Sequence, residues 1–231
     1  MKDLYKDKTK LYLLIISGCI FLSFILFSYI VAKEKFTAFD FDTTVKFQDR
    51  IPHRVDWPFS LLSVIGSAEI SMVLWGILTM YLAFKRYWLS FFSMGLLPLA
   101  LLTEIYGKLF LLHPGPPFMF YRGTIDFSFS EYYVKTNYSY PSGHMLRTSF
   151  LATFLVLFIY FRYSKKLKVN VISIGSFATF ILLMMVSRVY LGEHWTTDVI
   201  GGTLLGISTG IASGITTPSK RLVQKVTESD K

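Results

Sequence analysis

Two histidines, a serine, an aspartate and two cations stand in short ordered clusters along an otherwise apolar chain. One cluster is Pro141-Ser142-Gly143-His144. Another runs from Ser187-Arg188 through His194 to Asp198, and Lys108 precedes both. These groups suit phosphoryl transfer, in which dense negative charge has to be held by cations and oriented donors in the transition state. The planar fork of Arg binds two phosphate oxygens at once. Pro-Ser-Gly-His ahead of a helix offers backbone N–H groups at a positive helix end. Gly143 lets that backbone come close, and the Ser142 hydroxyl adds a donor. A neutral imidazole can attack phosphorus, and a protonated one can give a proton to the leaving oxygen. His194 and Asp198 stand four apart. On a helix they share a face, and the carboxylate can hold one ring N–H and fix the tautomer.

The elements that must position these groups are membrane helices. The chain has 231 residues, 52% of them apolar and 17% aromatic, with only 17% charged. An average soluble domain carries about 25% charged residues, and so many aromatics exclude a disordered chain. The single Cys19 excludes an intrachain disulfide and a Cys-based zinc site. The apolar residues gather in runs at Leu11–Ala32, Ser67–Phe84, Trp88–Leu112, Met145–Phe161, Val169–Val186 and Val199–Thr216. Most of these runs approach the ~20 residues that a helix needs to cross a ~30 Å hydrocarbon core. The expectation is an all-α, polytopic bundle of six transmembrane helices forming a single domain over residues 1–231. Trp57–Ile65 either starts the second span or forms a short interfacial helix. Leu11–Ala32 exceeds a signal peptide's apolar region of ~7–15 residues and is closed by no A-x-A site, so it is expected to remain as the first span.

The net charge of +9 is read as a topology signal. Lys2, Lys6, Lys8 and Lys10 precede the first run. Lys85 and Arg86 separate the second and third runs, and Arg162, Lys165, Lys166 and Lys168 the fourth and fifth. Lys220, Arg221, Lys225 and Lys231 follow the last. All fall on one side of a six-span layout. On the other side Lys33, Lys35, Lys46, Arg50 and Arg54 are balanced by Glu34, Asp40, Asp42, Asp49 and Asp56. The positive-inside rule then predicts both termini in the cytoplasm. The chemistry-bearing segments fall on the outer face of a plasma membrane. With no basic stripe in a soluble part, no nucleic-acid partner is expected.

The Pro-Ser-Gly-His segment, followed by Ser-Arg, five residues, His, three residues and Asp, resembles the type 2 phosphatidic acid phosphatases, the PAP2 superfamily. Lys108 with Pro116 resembles that family's first motif, a Lys followed seven residues later by Arg-Pro. The motif core runs over 108–198. The resemblance implies His194 as a nucleophile forming a phosphohistidine, with Asp198 orienting it. It implies His144 as the acid that protonates the leaving group and then activates water. Lys108, Ser142, Gly143 and Arg188 would bind phosphate. No metal and no other cofactor would be needed. The implied substrate is a lipid phosphomonoester or pyrophosphate of the phosphatidic acid, phosphatidylglycerophosphate or polyprenyl pyrophosphate class. A lipid-to-lipid phosphotransferase and a weakly catalytic lipid-binding or transport protein are the alternatives. The family's motif Arg falls on Gly115 here. Candidates to replace it are Arg122, His113 and Arg147, although a long cation at a membrane surface also snorkels.

Three further features read as structural. Glu104, four before Lys108, is placed to support that lysine across one helical turn. The small-residue spacing of Gly202, Gly206 and Gly210 favours close helix packing. The aromatic segment 114–140 fits an interfacial belt or a cap over a lipid chain.

Overall fold

The computed structural model describes residues 2–125, 138–162 and 167–218, with side chains from residue 8 onward. Regular structure there is helical: α1 (Lys2–Ala32), α2 (Thr37–Arg50), α3 (Asp56–Ile65), α4 (Ala68–Phe84), α5 (Trp88–Ser93), α6 (Leu96–Phe110), α7 (Gly143–Arg162), α8 (Leu167–Tyr190) and α9 (Thr196–Gly214). Single 3-10 turns lie at His53–Val55 and Phe118–Phe120.

Four stretches are each long and apolar enough to cross a bilayer: Lys8–Ala32, Trp88–Phe110, Gly143–Arg162 and Leu167–Tyr190. His53–Ile65 and Ala68–Phe84, bent by 43°, make a fifth when taken as one broken span. The protein is thus an all-helical, multi-pass membrane protein. α9, where a sixth span was expected, is less apolar because Gly, Ser and Thr fill much of it. Those residues are what let it sit inside the bundle. Leu14, Leu22 and Leu26 on α1, Ile77 and Met80 on α4, and Ile172 and Leu182 on α8 point outward, as lipid-facing side chains should.

α7 is the buried axis. Its Phe150, Leu151 and Phe154 pack with Leu82 of α4, Met94 and Leu97. α9 runs parallel to α7 at backbone contact. A Cβ on Gly202 would come within 2.3 Å of the Ser142 carbonyl oxygen, one on Gly206 within 2.4 Å of the Leu146 oxygen, and one on Gly210 within 2.9 Å of the Phe150 oxygen. Steps of four residues advance together on both helices, so the spacing read from sequence is a packing seam. Parallel packing sets the two helix N-termini side by side, and each is a positive dipole end. α1 closes on the far side of α9, where the Ser17 hydroxyl donates to the Ser208 carbonyl at 2.8 Å.

Trp57–Ile65 falls in α3, the first part of the broken second span, as one of the two sequence readings had it. Two details differ from the sequence reading. The third span is interrupted at Met94-Gly95, between α5 and α6. Residues 37–50, expected only as a charge-balanced outer segment, form α2, which buries Asp40 and Thr44 one turn apart on a single face.

Candidate active site

Three chain segments meet where α7 and α9 begin. The turn after α8 brings in the first. Gly192 has φ +68, and a Cβ there would fall 2.2 Å from the Phe120 carbonyl oxygen, so only glycine fits. The Arg188 carbonyl accepts the N–H groups of Glu193 at 3.2 Å and His194 at 3.4 Å. This folds the turn back and delivers His194 to the start of α9. Asp198 lies in the first turn of α9. Its Oδ2 accepts the Trp195 N–H at 3.0 Å and lies 3.3 Å from His194 Nδ1. Its own carbonyl accepts the Ser142 N–H at 3.0 Å, which ties the two motifs together. The Trp195 indole N–H donates to the Pro114 carbonyl at 2.7 Å, which anchors the 113–117 segment against them.

His144 sits in the first turn of α7. Its ring centroid lies 6.4 Å from that of His194, and Arg188, Arg147, His194 and Lys108 are within electrostatic reach of it. Of the sequence-predicted groups, the two histidines, Asp198, Ser142, Gly143, Lys108 and Arg188 therefore converge on one place. Arg188 is fully buried. Its Nη1 pairs with Glu193 and donates to Ser63 of α3. Its Nη2 and the buried Ser142 hydroxyl have no hydrogen-bond partner among the described residues. Buried donors rarely stay unpaired. Two of them in a site that also gathers Lys108 and Arg147 make the arrangement an anion would complete.

Glu104 acts as a clamp inside this cluster. It takes the Lys108 ammonium at 2.7 Å and lies 3.7 Å from Arg147 Nη1. A Cβ on Gly143 would lie only 2.1 Å from Glu104 Oε1, so the glycine is what lets this carboxylate reach the start of α7.

Two of the candidate substitutes for the motif Arg, Arg147 and Arg122, part company. Arg147 joins the site through Glu104. Arg122 is engaged elsewhere: its guanidinium donates to the Gln48 carbonyl at 3.1 Å and lies over the Tyr190 ring at 5.3 Å. Gly115 borders a cavity of about 370 Å³ lined in part by Glu34, Asp40, His113 and Trp195. Of the aromatic segment, Phe127, Phe129, Tyr132 and Tyr133 fall outside the described residues, as do Lys165, Lys166 and the basic C-terminal residues. Among the described residues, no group of three or more His, Cys, Asp or Glu side chains is arranged to hold a metal ion.

Sequence reasoning missed Asp40, Ser63, Glu193 and the placement of His113. Asp40 accepts the Thr197 N–H at 2.9 Å and the Thr197 hydroxyl at 2.7 Å. Burial raises its carboxyl above the ordinary range, and the Thr197 bonds act against that shift. Glu193, beside His194 in the motif, was the one with a visible local signal.

The PAP2 superfamily matches residues 86–220. Phosphatidylglycerophosphatase B of Haemophilus influenzae is 40% identical over 78 residues, which is 32% of this chain and 31% of that one. Phosphatidylglycerophosphatase B of Bacillus subtilis is 39% identical over 77 residues, 32% of this chain and 36% of that one. The matched stretch thus spans about a third of each curated relative. The crystal structure of a transmembrane PAP2-type phosphatidylglycerolphosphate phosphatase from Bacillus subtilis superposes with a TM-score of 0.64 at 19% identity. It covers 93% of this chain and 97% of its own, a likeness of fold.

Proposed function

The chain belongs to the PAP2 superfamily, and from that premise we propose that it is a membrane lipid phosphatase. It hydrolyses a phosphomonoester or pyrophosphate of a lipid through a phosphohistidine. The observation that carries the reading is the facing pair His144 and His194, 6.4 Å between ring centroids, with Asp198 on the Nδ1 side of His194. That side is occupied, so Nε2 of His194 is the atom left to attack phosphorus. Asp198 holds the Nδ1 proton and stabilises the charge that the ring gains. Arg188, Lys108, the Ser142 hydroxyl and the Gly143 amide hold the non-bridging oxygens, where charge gathers in the transition state. His144 protonates the departing oxygen, then takes a proton from the water that cleaves the phosphohistidine. No step calls for a metal or another cofactor.

The site lies at helix ends because the reacting phosphate belongs in the headgroup layer while the tails stay in lipid. The excess of Lys and Arg on the opposite side supports cytoplasmic termini and an extracytoplasmic site in a plasma membrane. The names of the relatives favour a glycerophospholipid phosphate such as phosphatidylglycerophosphate. Phosphatidic acid and polyprenyl pyrophosphates remain within the same chemistry.

The test is inorganic phosphate release by the purified protein from a panel of lipid phosphates in chelator. Release from at least one lipid, abolished by His194→Ala, is expected. Phosphate appearing only on a second lipid would mean transfer instead of hydrolysis. Retained lipid binding without turnover would mean a binding or transport protein.

A further inference from the structure

Resting on the reading of His194 as nucleophile and Asp198 as its partner, we infer that His113, backed by Thr197 and Asp40, is a positioning residue that holds Asp198 from the side opposite His194. Four observations lead there. Asp198 is fully buried, and its Oδ2 is engaged by Trp195 N–H and His194. Among the described residues its Oδ1 has no hydrogen-bond partner, and His113 Nε2 lies 3.4 Å away. The same Nε2 is 3.2 Å from Thr197 Oγ1 and 3.8 Å from Asp40 Oδ2. His113 is 7% exposed, and its ring stands edge-on to Tyr140.

Proton counting fixes the direction of the contact. The Thr197 hydroxyl has one hydrogen, and at 2.7 Å that hydrogen goes to Asp40 Oδ2. Its oxygen can therefore only accept from His113, so Nε2 carries a proton. That proton lies between Thr197 Oγ1 and Asp198 Oδ1. Asp40 takes both donors of Thr197 and sets the hydroxyl, the hydroxyl sets the His113 tautomer, and His113 presents an N–H to Asp198. Two histidines thus address the two oxygens of one carboxylate. The backbone locks the arrangement, since the His113 carbonyl accepts the Ser139 N–H at 3.0 Å.

The consequence concerns the transition state. As the bond to phosphorus forms, the His194 ring becomes cationic, and Asp198 must be ionised and turned toward Nδ1 at that moment. A donor on Oδ1 favours the ionised form and restrains rotation of the carboxylate. The effect reaches the reaction only through Asp198, and the phosphate-binding groups are untouched. The loss belongs in kcat, with KM preserved.

The test compares His113→Leu, which has no donor, with His113→Gln, which keeps an N–H, in purified full-length protein acting on the best lipid phosphate of the panel. Expected is a fall in kcat of roughly tenfold to a hundredfold for the Leu variant, with KM within about twofold and most of kcat restored by Gln. Thermal unfolding of each variant is read alongside. A folded Leu variant with wild-type kcat overturns the inference. So do equal losses in Leu and Gln, or a loss confined to KM or to unfolding temperature. A wild type inactive on every lipid phosphate overturns the functional reading, and this inference with it. That result is distinct from an active wild type indifferent to His113.

Discussion

Gly206→Ala adds one methyl group to α9, eight residues from Asp198, yet its main effect should be on catalysis. The new Cβ would lie 2.4 Å from the Leu146 carbonyl oxygen, 2.8 Å from Ser149 Cβ and 3.1 Å from the Phe150 nitrogen. The nearest atoms belong to the α7 backbone, which has no rotamer to change. Ordinary contact begins near 3.4 Å, so the helices must separate by about 1 Å at that level. Overpacking of this kind costs about 1–3 kcal/mol of stability. The displaced point on α7 is two residues from His144, while α9 carries Asp198, which holds His194. A misplacement of about 1 Å between reacting groups costs roughly a hundredfold in rate. Phosphate release from a lipid phosphate in mixed micelles, with unfolding temperature measured on the same preparation, reads both effects. Gly76→Ala and Gly175→Ala are the controls, because a Cβ at either glycine meets nothing within 4 Å. Folded Gly206→Ala protein whose kcat matches those controls would refute the claim that seam geometry sets the distance between the two histidines.

Two further outcomes follow from the same structure. Gly115→Arg should fold normally, since an added Cβ meets only Ser139, at 3.4 Å, beside a cavity of about 370 Å³; KM for the lipid phosphate should fall, and an unchanged or higher KM in folded protein would show that the cavity does not communicate with the phosphate. Tyr140 is buried, and burial raises its phenol well above the usual value of 10.0. The folded state therefore keeps a proton that the unfolded chain releases above pH 10. The resulting stability is fully present below that pH and is lost above it, by about 1.4 kcal/mol per pH unit. Relative to Tyr140→Phe, the wild type should lose unfolding temperature only above pH 10, and a difference that stays flat to pH 11 would contradict this.

Much of the site was legible because its residues carry local signals. Ser142-Gly143-His144 and Arg188…His194…Asp198 are short motifs, and Glu104 with Lys108 is a one-turn pair, found at 2.7 Å. The long apolar runs gave the membrane-spanning character in the same way. What stayed hidden is the contact between distant segments. Asp40 meets Thr197 across 157 positions of chain, and nothing in the alternation of charges around Asp40 separates a buried acceptor from a solvated one. His113 lacks a motif partner, so its type alone could not place it against Asp198. Arg122 was placed by nearness in sequence, but its backbone N–H goes to the Leu191 carbonyl at 3.0 Å, and its side chain is thereby turned toward Gln48 and Tyr190. The break between α5 and α6 falls within an apolar run, where hydropathy does not mark a two-residue turn.

Glu104 bears on how the cations are held together. Lysine and arginine side chains crowded near a hydrocarbon layer repel one another, and each loses hydration there. A carboxylate tethered on α6, slipped against the glycine that opens α7 and touching both Lys108 and Arg147, serves as a built-in counterion. The pocket can then stay assembled between turnovers without borrowing an anion from solution. If the site hydrolyses a lipid phosphate as proposed, an incoming phosphate meets cations already aligned by a resident competitor, and departing inorganic phosphate leaves them neutralised.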